Sequence, residues 1–271
     1  MHIRKAYDQA LCTLEGDLSM PVPSLLAVFA HPDDESLWSG GVLARHAAAG
    51  ARTAVVTSTW AADTQRGAEL TEALRLLGTD EPRMLGYADA RAPQSAPGRL
   101  RFCDAPLDET VGRVVAHLRQ FRPEIVVTHD AYGGVTGHPD HVHTHRVTTL
   151  AVQAAGLERL FPDAGDPWQP SALYLATHPH SAVGALSDLA RAGKAMNSVP
   201  DERITATVDV SPWLEQKWAA VLAHRTEVDR GAAPGLLAGF PADARERILS
   251  TEWYIRHDTV SPVTAQTELT A

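Results

Sequence analysis

The amino-acid sequence predicts an α/β protein built on a mostly parallel sheet, and three observations carry that reading. Short unbroken apolar runs recur along the first half of the chain, segments with helical spacing lie between them, and glycines close those segments. Leu25-Leu26-Ala27-Val28-Phe29 is apolar at every position, as suits a strand covered on both faces. The chain ahead of it ends in Pro21-Val22-Pro23, and proline disfavours helix in the residue before it, so residues 1–23 are expected to be an N-terminal extension. A helical pattern over residues 36–49 stops at Gly50. Residues 53–57 make the second strand, residues 64–77 a helix ended by Gly78, and residues 83–85 a short third strand. After a loop rich in Pro, Gly and Ser at 90–98, an amphipathic helix over 107–121 leads into the strand Glu124-Ile125-Val126-Val127-Thr128. Strands and helices alternating in this order require right-handed crossovers.

The second half is less regular. A helix over 140–155, a loop with Pro162, Pro167 and Pro170, a strand over 172–176, an alternating edge strand over 204–210 and a helix over 213–224 are expected. Residues 24–256 then form one domain and residues 257–271 a tail.

The 271 residues carry 24 Lys+Arg against 33 Asp+Glu, and the net charge of −9 argues against a nucleic-acid or anionic-membrane partner. With 44% hydrophobic and 21% charged residues, the chain is globular in composition, not disordered or collagen-like. Its apolar stretches stop well short of the ~18 residues that cross a bilayer. Arg4 and Lys5 are followed by Asp8, Glu15 and Asp17, not by the apolar core of a signal peptide, so the expected location is cytoplasmic. Cys12 and Cys103 are too few for a disulfide framework or a Cys-based zinc site, which leaves the histidines as the feature to pursue.

Two clusters carry the chemistry. Ala30-His31-Pro32-Asp33-Asp34-Glu35 follows the first strand, at the carboxyl edge where open α/β sheets place ligands. His31 and Asp34 can converge on one cation, while Pro32 stiffens the turn and Asp33, left uncoordinated, is a candidate base. The same carboxylates would equally serve as a helix start facing free N–H groups. His138-Pro139-Asp140-His141 follows the strand ending near Thr128, at the same edge, with Gly133, Gly134 and Gly137 to fold the loop. Any one of these histidines could simply be solvated. Two clusters at two strand ends are harder to explain that way.

With both motifs complete, the chain resembles the LmbE-like, or PIG-L-type, family of zinc-dependent N-acetylglucosaminyl deacetylases, which share AHPDDE near the N-terminus and HPDH in mid-chain. The resemblance runs from about residue 25 to about residue 254 and implies a Rossmann-like fold and one Zn2+ per chain. By motif position it implies His31, Asp34 and His141 as zinc ligands, Asp33 as general base, His138 as the histidine beside the reacting carbonyl, and Asp140 as the carboxylate that orients it. Arg66 and Glu69 resemble the family's Arg-x-x-Glu and are expected to bind substrate. Lys217 with Ala223-His224-Arg225-Thr226 resembles its C-terminal signature. One departure concerns the carbonyl-binding tyrosine: members acting on the glucosaminyl-inositol precursor of mycothiol usually carry Tyr two residues before the first His of HPDH, where this chain has Thr136, with Tyr132 earlier in the loop.

Two histidines and one carboxylate leave a zinc position open for water, as a catalytic site requires. The implied reaction removes an N-acetyl or other N-acyl group from an amino sugar, such as an N-acetylglucosaminyl-inositol or a glycosylated natural product, with Asp33 moving protons and a protonated His138 facing the oxyanion. The expected partner is therefore a small N-acetylated amino sugar. A mycothiol-S-conjugate amidase is the alternative among enzymes, and a non-catalytic metal-binding member the alternative outside them. Asp33 and His138 argue against the latter, because neither is needed to hold zinc.

Overall fold

Every apolar run of the first half becomes a strand of one seven-stranded sheet in the computed structural model, which describes residues 22–186 and 196–260. Most of the expected N-terminal extension and tail, Cys12 included, lies outside the described residues. Strand β1 (Leu25–Phe29) pairs in parallel with β2 (Thr53–Thr59) on one side and with β4 (Ile125–His129) on the other. Strand β3 (Arg83–Tyr87) lies beyond β2, and β5 (Ala172–Thr177) beyond β4, both parallel. Strands β6 (Ala206–Asp209) and β7 (Thr251–Asp258) finish the sheet antiparallel, in the order β3-β2-β1-β4-β5-β7-β6. The chain thus leaves β1 in one direction and returns at β4 on its other side. This is a topological switch point, where the crevice beyond the strand ends is open to a ligand.

Side chains along the buried strands alternate between two cores. Leu25, Ala27 and Phe29 pack with α1 (Asp34–Ala48), α2 (Gln65–Leu77) and α5 (Leu214–Ala223) through Leu43, Leu70, Leu74 and Ala220. Leu26 and Val28 pack on the other face with α3 (Leu107–Phe121) and α4 (Pro139–Ala155) through Val114, Leu118, Val147 and Ala151. Local signals fix the helix ends. The Thr64 hydroxyl accepts the Gly67 N–H at 3.2 Å to start α2, and Gly78 closes it at φ 75°, where a side chain would be strained.

The C-terminal part departs from expectation. Helices α6 (Arg225–Asp229), α7 (Ala233–Ala238) and α8 (Ala242–Leu249) and strand β7 are not foreseen, and the expected tail at 257 is still strand, with His257 and Asp258 paired to Leu173 and Ala172. Hydrophobic patterning misses β7 because a buried carboxylate stands near its start. Helix α1 is broken at Ser39 (φ −143°), and Glu252 of β7 repairs the break by accepting the Gly41 and Val42 N–H groups at 2.8 and 3.0 Å. The buried Lys217 ammonium answers Glu252 at 2.8 Å. Among the described residues no helix is long and apolar enough to cross a membrane.

Two histidines outside the switch-point crevice, His117 on α3 and His178 after β5, are pushed down to about 4 by burial and then by nearby cations, Arg83 and Arg113 for the first and Lys217 for the second. The unfolded chain therefore binds more protons than the native one between pH 6.5 and 4, and stability falls as pH falls through that window, by up to about 1.4 kcal/mol per pH unit for each group. Urea unfolding at pH 7 and pH 5 should show this decline, reduced in His117→Gln. A stability that is flat or rises toward pH 5 would contradict it.

Candidate active site

The first turn of the site is held by its own backbone. Beyond β1, the Ala30 carbonyl accepts the Thr59 N–H at 2.9 Å and the Thr59 hydroxyl at 2.7 Å, which ties the ends of β1 and β2 together. The His31 N–H donates to Asp34 Oδ2 at 2.8 Å, fixing that carboxylate at the start of α1. Between them Asp33 has φ 130° and ψ −28°, a conformation that costs a non-glycine residue about 1–3 kcal/mol and persists only where its surroundings impose it. Its N–H donates to Glu35 Oε2 at 3.0 Å.

The second turn is a helix start. His138 caps α4, its Nδ1 accepting the Asp140 N–H at 3.2 Å; Pro139 takes the first helical position, where no N–H is needed. The loop leading there is folded by Asp130, whose carboxylate accepts the Gly134 N–H at 2.8 Å and the Thr177 hydroxyl at 2.5 Å. Gly134 has φ 64°, and a Cβ on it would stand 2.4 Å from the Trp38 ring, so glycine is required. This fold turns the Gly133 carbonyl to His141, which donates from Nδ1 at 3.1 Å.

Three atoms from the two turns then face one another. His31 Nδ1 lies 3.0 Å from His141 Nε2 and 3.4 Å from Asp34 Oδ2, and His141 Nε2 lies 3.3 Å from Asp34 Oδ2. A tetrahedral site with bonds of about 2.0–2.1 Å has ligand-to-ligand edges of about 3.3–3.4 Å. The other nitrogens of both rings are already donors, His141 Nδ1 to Gly133 and His31 Nε2 to Asp140 Oδ2 at 3.2 Å. What remains is two imidazole nitrogens and a carboxylate oxygen facing one another, an arrangement that a proton on His31 or a metal cation satisfies. The three residues fit a divalent metal ion.

The charges tell the same story. Burial opposes a charge on His31, yet Asp140 and Asp34 outweigh it and raise its pKa to about 10. Asp34 is buried too, but His141 and His129 hold its carboxyl well below the usual range. Asp33 is pushed up to about 7, by burial and by Asp34 and Glu227, with Arg66 opposing. A carboxyl near neutrality beside a cation site is poised to exchange protons. His138 is pushed down to about 3 by burial and by His31 and His141. It is neutral, not the expected cation, and with Nδ1 accepting the Asp140 N–H its proton resides on Nε2.

Asp140 faces His31 more closely than it faces His138. Its Oδ2 is 3.2 Å from His31 Nε2 and 3.7 Å from His138 Nδ1, and it also accepts the Ala90 N–H at 2.9 Å. Arg66 and Glu69 are buried and turned toward protein. The Arg66 guanidinium lies 3.5 Å from Asp33 Oδ2 and 3.1 Å from Glu227 Oε1, donates to the Pro32 carbonyl and sits over the Trp60 ring. Glu69 accepts the Thr226 N–H and hydroxyl at 3.0 and 2.6 Å. Tyr132 is 55% exposed and Thr136 half-buried on the loop before His138; neither hydroxyl has a protein partner among the described residues.

Two site residues escape sequence reasoning. Asp89, just beyond β3, brings Oδ2 to 3.3 Å from His31 Nε2. His129, the last residue of β4, is fully buried, stacks on His141 with ring centroids 4.0 Å apart, and places Nε2 3.3 Å from Asp34 Oδ2. Both stand at ends of parallel strands on the motif-bearing edge, and that position is the available signal.

The model of the family described as PIG-L, GlcNAc-PI de-N-acetylase, matches residues 26–152, which hold both turns. A 1D-myo-inositol 2-acetamido-2-deoxy-alpha-D-glucopyranoside deacetylase of Rhodococcus opacus is 39% identical, over 85% of this chain and 90% of its own. Among solved structures, the N,N'-diacetylchitobiose deacetylase of Pyrococcus horikoshii superposes with a TM-score of 0.60 at 19% identity, covering 96% of each chain. A conserved protein of Thermus thermophilus also reaches 0.60, at 26% identity, covering 89% of this chain and 97% of its own. Shared sequence over most of both chains makes this chain a member of the PIG-L family.

Proposed function

We propose that the chain is a zinc-dependent N-deacetylase of amino sugars, with an N-acetylglucosaminyl-inositol as the substrate class. The observation that carries this reading is the meeting of three atoms able to ligate a metal, from His31, Asp34 and His141, beside a carboxyl raised to about 7. The Rhodococcus relative, named for the inositol glycoside it deacetylates, supports the substrate class. Two nitrogens and one oxygen suit zinc, which when bound polarises an amide carbonyl and makes water acidic. A cytoplasmic location fits a small soluble sugar as substrate.

Asp33 takes a proton from the attacking water as its oxygen adds to the acetyl carbon. His138, neutral with its proton on Nε2, donates a hydrogen bond to the carbonyl oxygen as negative charge develops there. The leaving amine nitrogen must gain a proton as the C–N bond breaks, giving acetate and a free amine. A neutral His138 that gave up its proton would become an imidazolate, so Asp33, protonated in the first step, returns it. Asp140 fixes the His31 ring from behind, the carboxylate support that metal-bound histidines usually have.

Metal analysis should find one zinc per chain, lost in His31→Ala and His141→Ala; full occupancy in a variant lacking both histidines would refute the site. Because the metal displaces the proton that His31 holds with a pKa near 10, zinc affinity should rise with pH between 6 and 9, by up to about tenfold per unit.

Asp33→Asn should retain zinc and lower kcat by about 10²- to 10⁴-fold, whereas Asp34→Asn should lose zinc affinity. Acetate release and metal content measured on both variants decide the point; reversed phenotypes would mean that the roles are exchanged.

For Arg66 and Glu69 the sequence expectation is substrate contact, while their buried partners favour a role in the wall around Asp33. Arg66→Ala should therefore reduce kcat/KM to a similar degree for the full glycoside and for minimal N-acetylglucosamine. A loss confined to the glycoside would restore Arg66 to substrate binding.

A further inference from the structure

The C-terminal signature around His224 has no part in the chemistry above, and its contacts point to one. His224 joins α5 to α6, and it and Glu227 in the first turn of α6 reach residues that contact Asp33. His224, fully buried, sets Nε2 2.8 Å from Glu35 Oε1. Glu35, also fully buried, accepts the Ser36 hydroxyl on that oxygen at 2.6 Å and gives its other oxygen to the Asp33 N–H at 3.0 Å. Glu227, buried as well, lies 3.1 Å from Arg66 Nη1, and Arg66 Nη2 lies 3.5 Å from Asp33 Oδ2. Two lines of contact start from one short segment and end on one residue. The first holds its backbone N–H, the second its carboxylate.

Asp33 needs such holding. Its φ of 130° is one that a non-glycine residue keeps only under constraint, and relaxation would move the carboxylate from its place beside Arg66. Glu35 and His224 have no surface for substrate to reach, and neither is among the three ligands. A buried Glu–His pair kept only for stability would be an unconvincing alternative, since such pairs seldom outperform apolar residues. We propose that Glu35 and His224 are positioning residues that hold Asp33 in its strained, productive conformation, with Glu227 and Arg66 steadying its carboxylate. This deepens, and rests on, the assignment of Asp33 as general base.

The test uses zinc-loaded full-length enzyme and an N-acetylglucosaminyl-inositol, with acetate release as readout. Glu35→Gln, which keeps size and an acceptor oxygen but weakens the His224 contact, should retain full zinc and KM while kcat falls about 10- to 100-fold, the effect of a misplaced reacting group. His224→Leu should do the same. Should it fail to fold, Glu35→Gln carries the test. Placed on Asp33→Asn, Glu35→Gln should change kcat by less than about twofold, because groups acting as a unit are not additive. An undiminished kcat in Glu35→Gln, or an equal loss in both backgrounds, would overturn the proposal. Failure of the base assignment shows separately: Asp33→Asn alone would then keep its activity.

Discussion

The site depends on one constraint, that two imidazole nitrogens and a carboxylate oxygen meet where they must share a positive charge. His31 Nδ1, His141 Nε2 and Asp34 Oδ2 stand within 3.0–3.4 Å of one another, and without a proton or a metal ion among them this contact would be repulsive. Everything nearby acts to prevent escape from it. Asp140 takes the other His31 nitrogen, the Gly133 carbonyl takes the other His141 nitrogen, and the His31 N–H pins the Asp34 carboxylate. A side chain tied at both ends cannot rotate its lone pair to a better partner. Positive charge must therefore come to the site, and the raised pKa of His31 records the same demand met by a proton.

Much of this is legible in the sequence, for definite reasons. Strands buried on both faces leave unbroken apolar runs, and β1, β2 and β4 can be read from Leu25, Thr53 and Ile125 onward to within a residue or two. The two turns are legible because proline and closely spaced His and Asp are rarely placed together at strand ends by packing alone. Asp89 and His129 are not, since a single polar residue at a strand end carries no spacing pattern. Strand β7 is hidden by Glu252, whose partners, the Gly41 and Val42 N–H groups and Lys217, come from other parts of the chain. Long-range polar pairing of this kind has no local signature.

Local geometry also bears on two roles that motif position implies, those of His138 and Asp140. The second residue of an α-helix has a free N–H, and in HPDH that N–H belongs to Asp140 and finds His138 Nδ1. Once that lone pair is engaged, the Asp140 carboxylate has little to offer His138 and turns to His31 instead. A motif fixes which residues stand together, but the helix start decides which atoms they can present.

The switch point has a further consequence for how the site is kept in register. His31 and Asp34 descend from the β1–α1 connection, whose helix belongs to one core, and His141 lies in α4, which belongs to the other. The two halves of the candidate metal site are thus fastened to opposite faces of the sheet, joined through the β1–β4 pairing of Leu25 with Ile125 through Val28 with Thr128. Helix α5 packs on both α1 and α2, in the half that carries His31 and Asp34, while Leu237, Ile248 and Leu249 reach Val135 in the loop before His138. The C-terminal region thus touches the half with His31, Asp33 and Asp34 through α5 and the half with His138 and His141 through Val135. Close packing resists shifts of one half against the other in the apolar layers. At the polar end of the same layer, the contacts from His224 through Glu35 to the Asp33 backbone do the equivalent work.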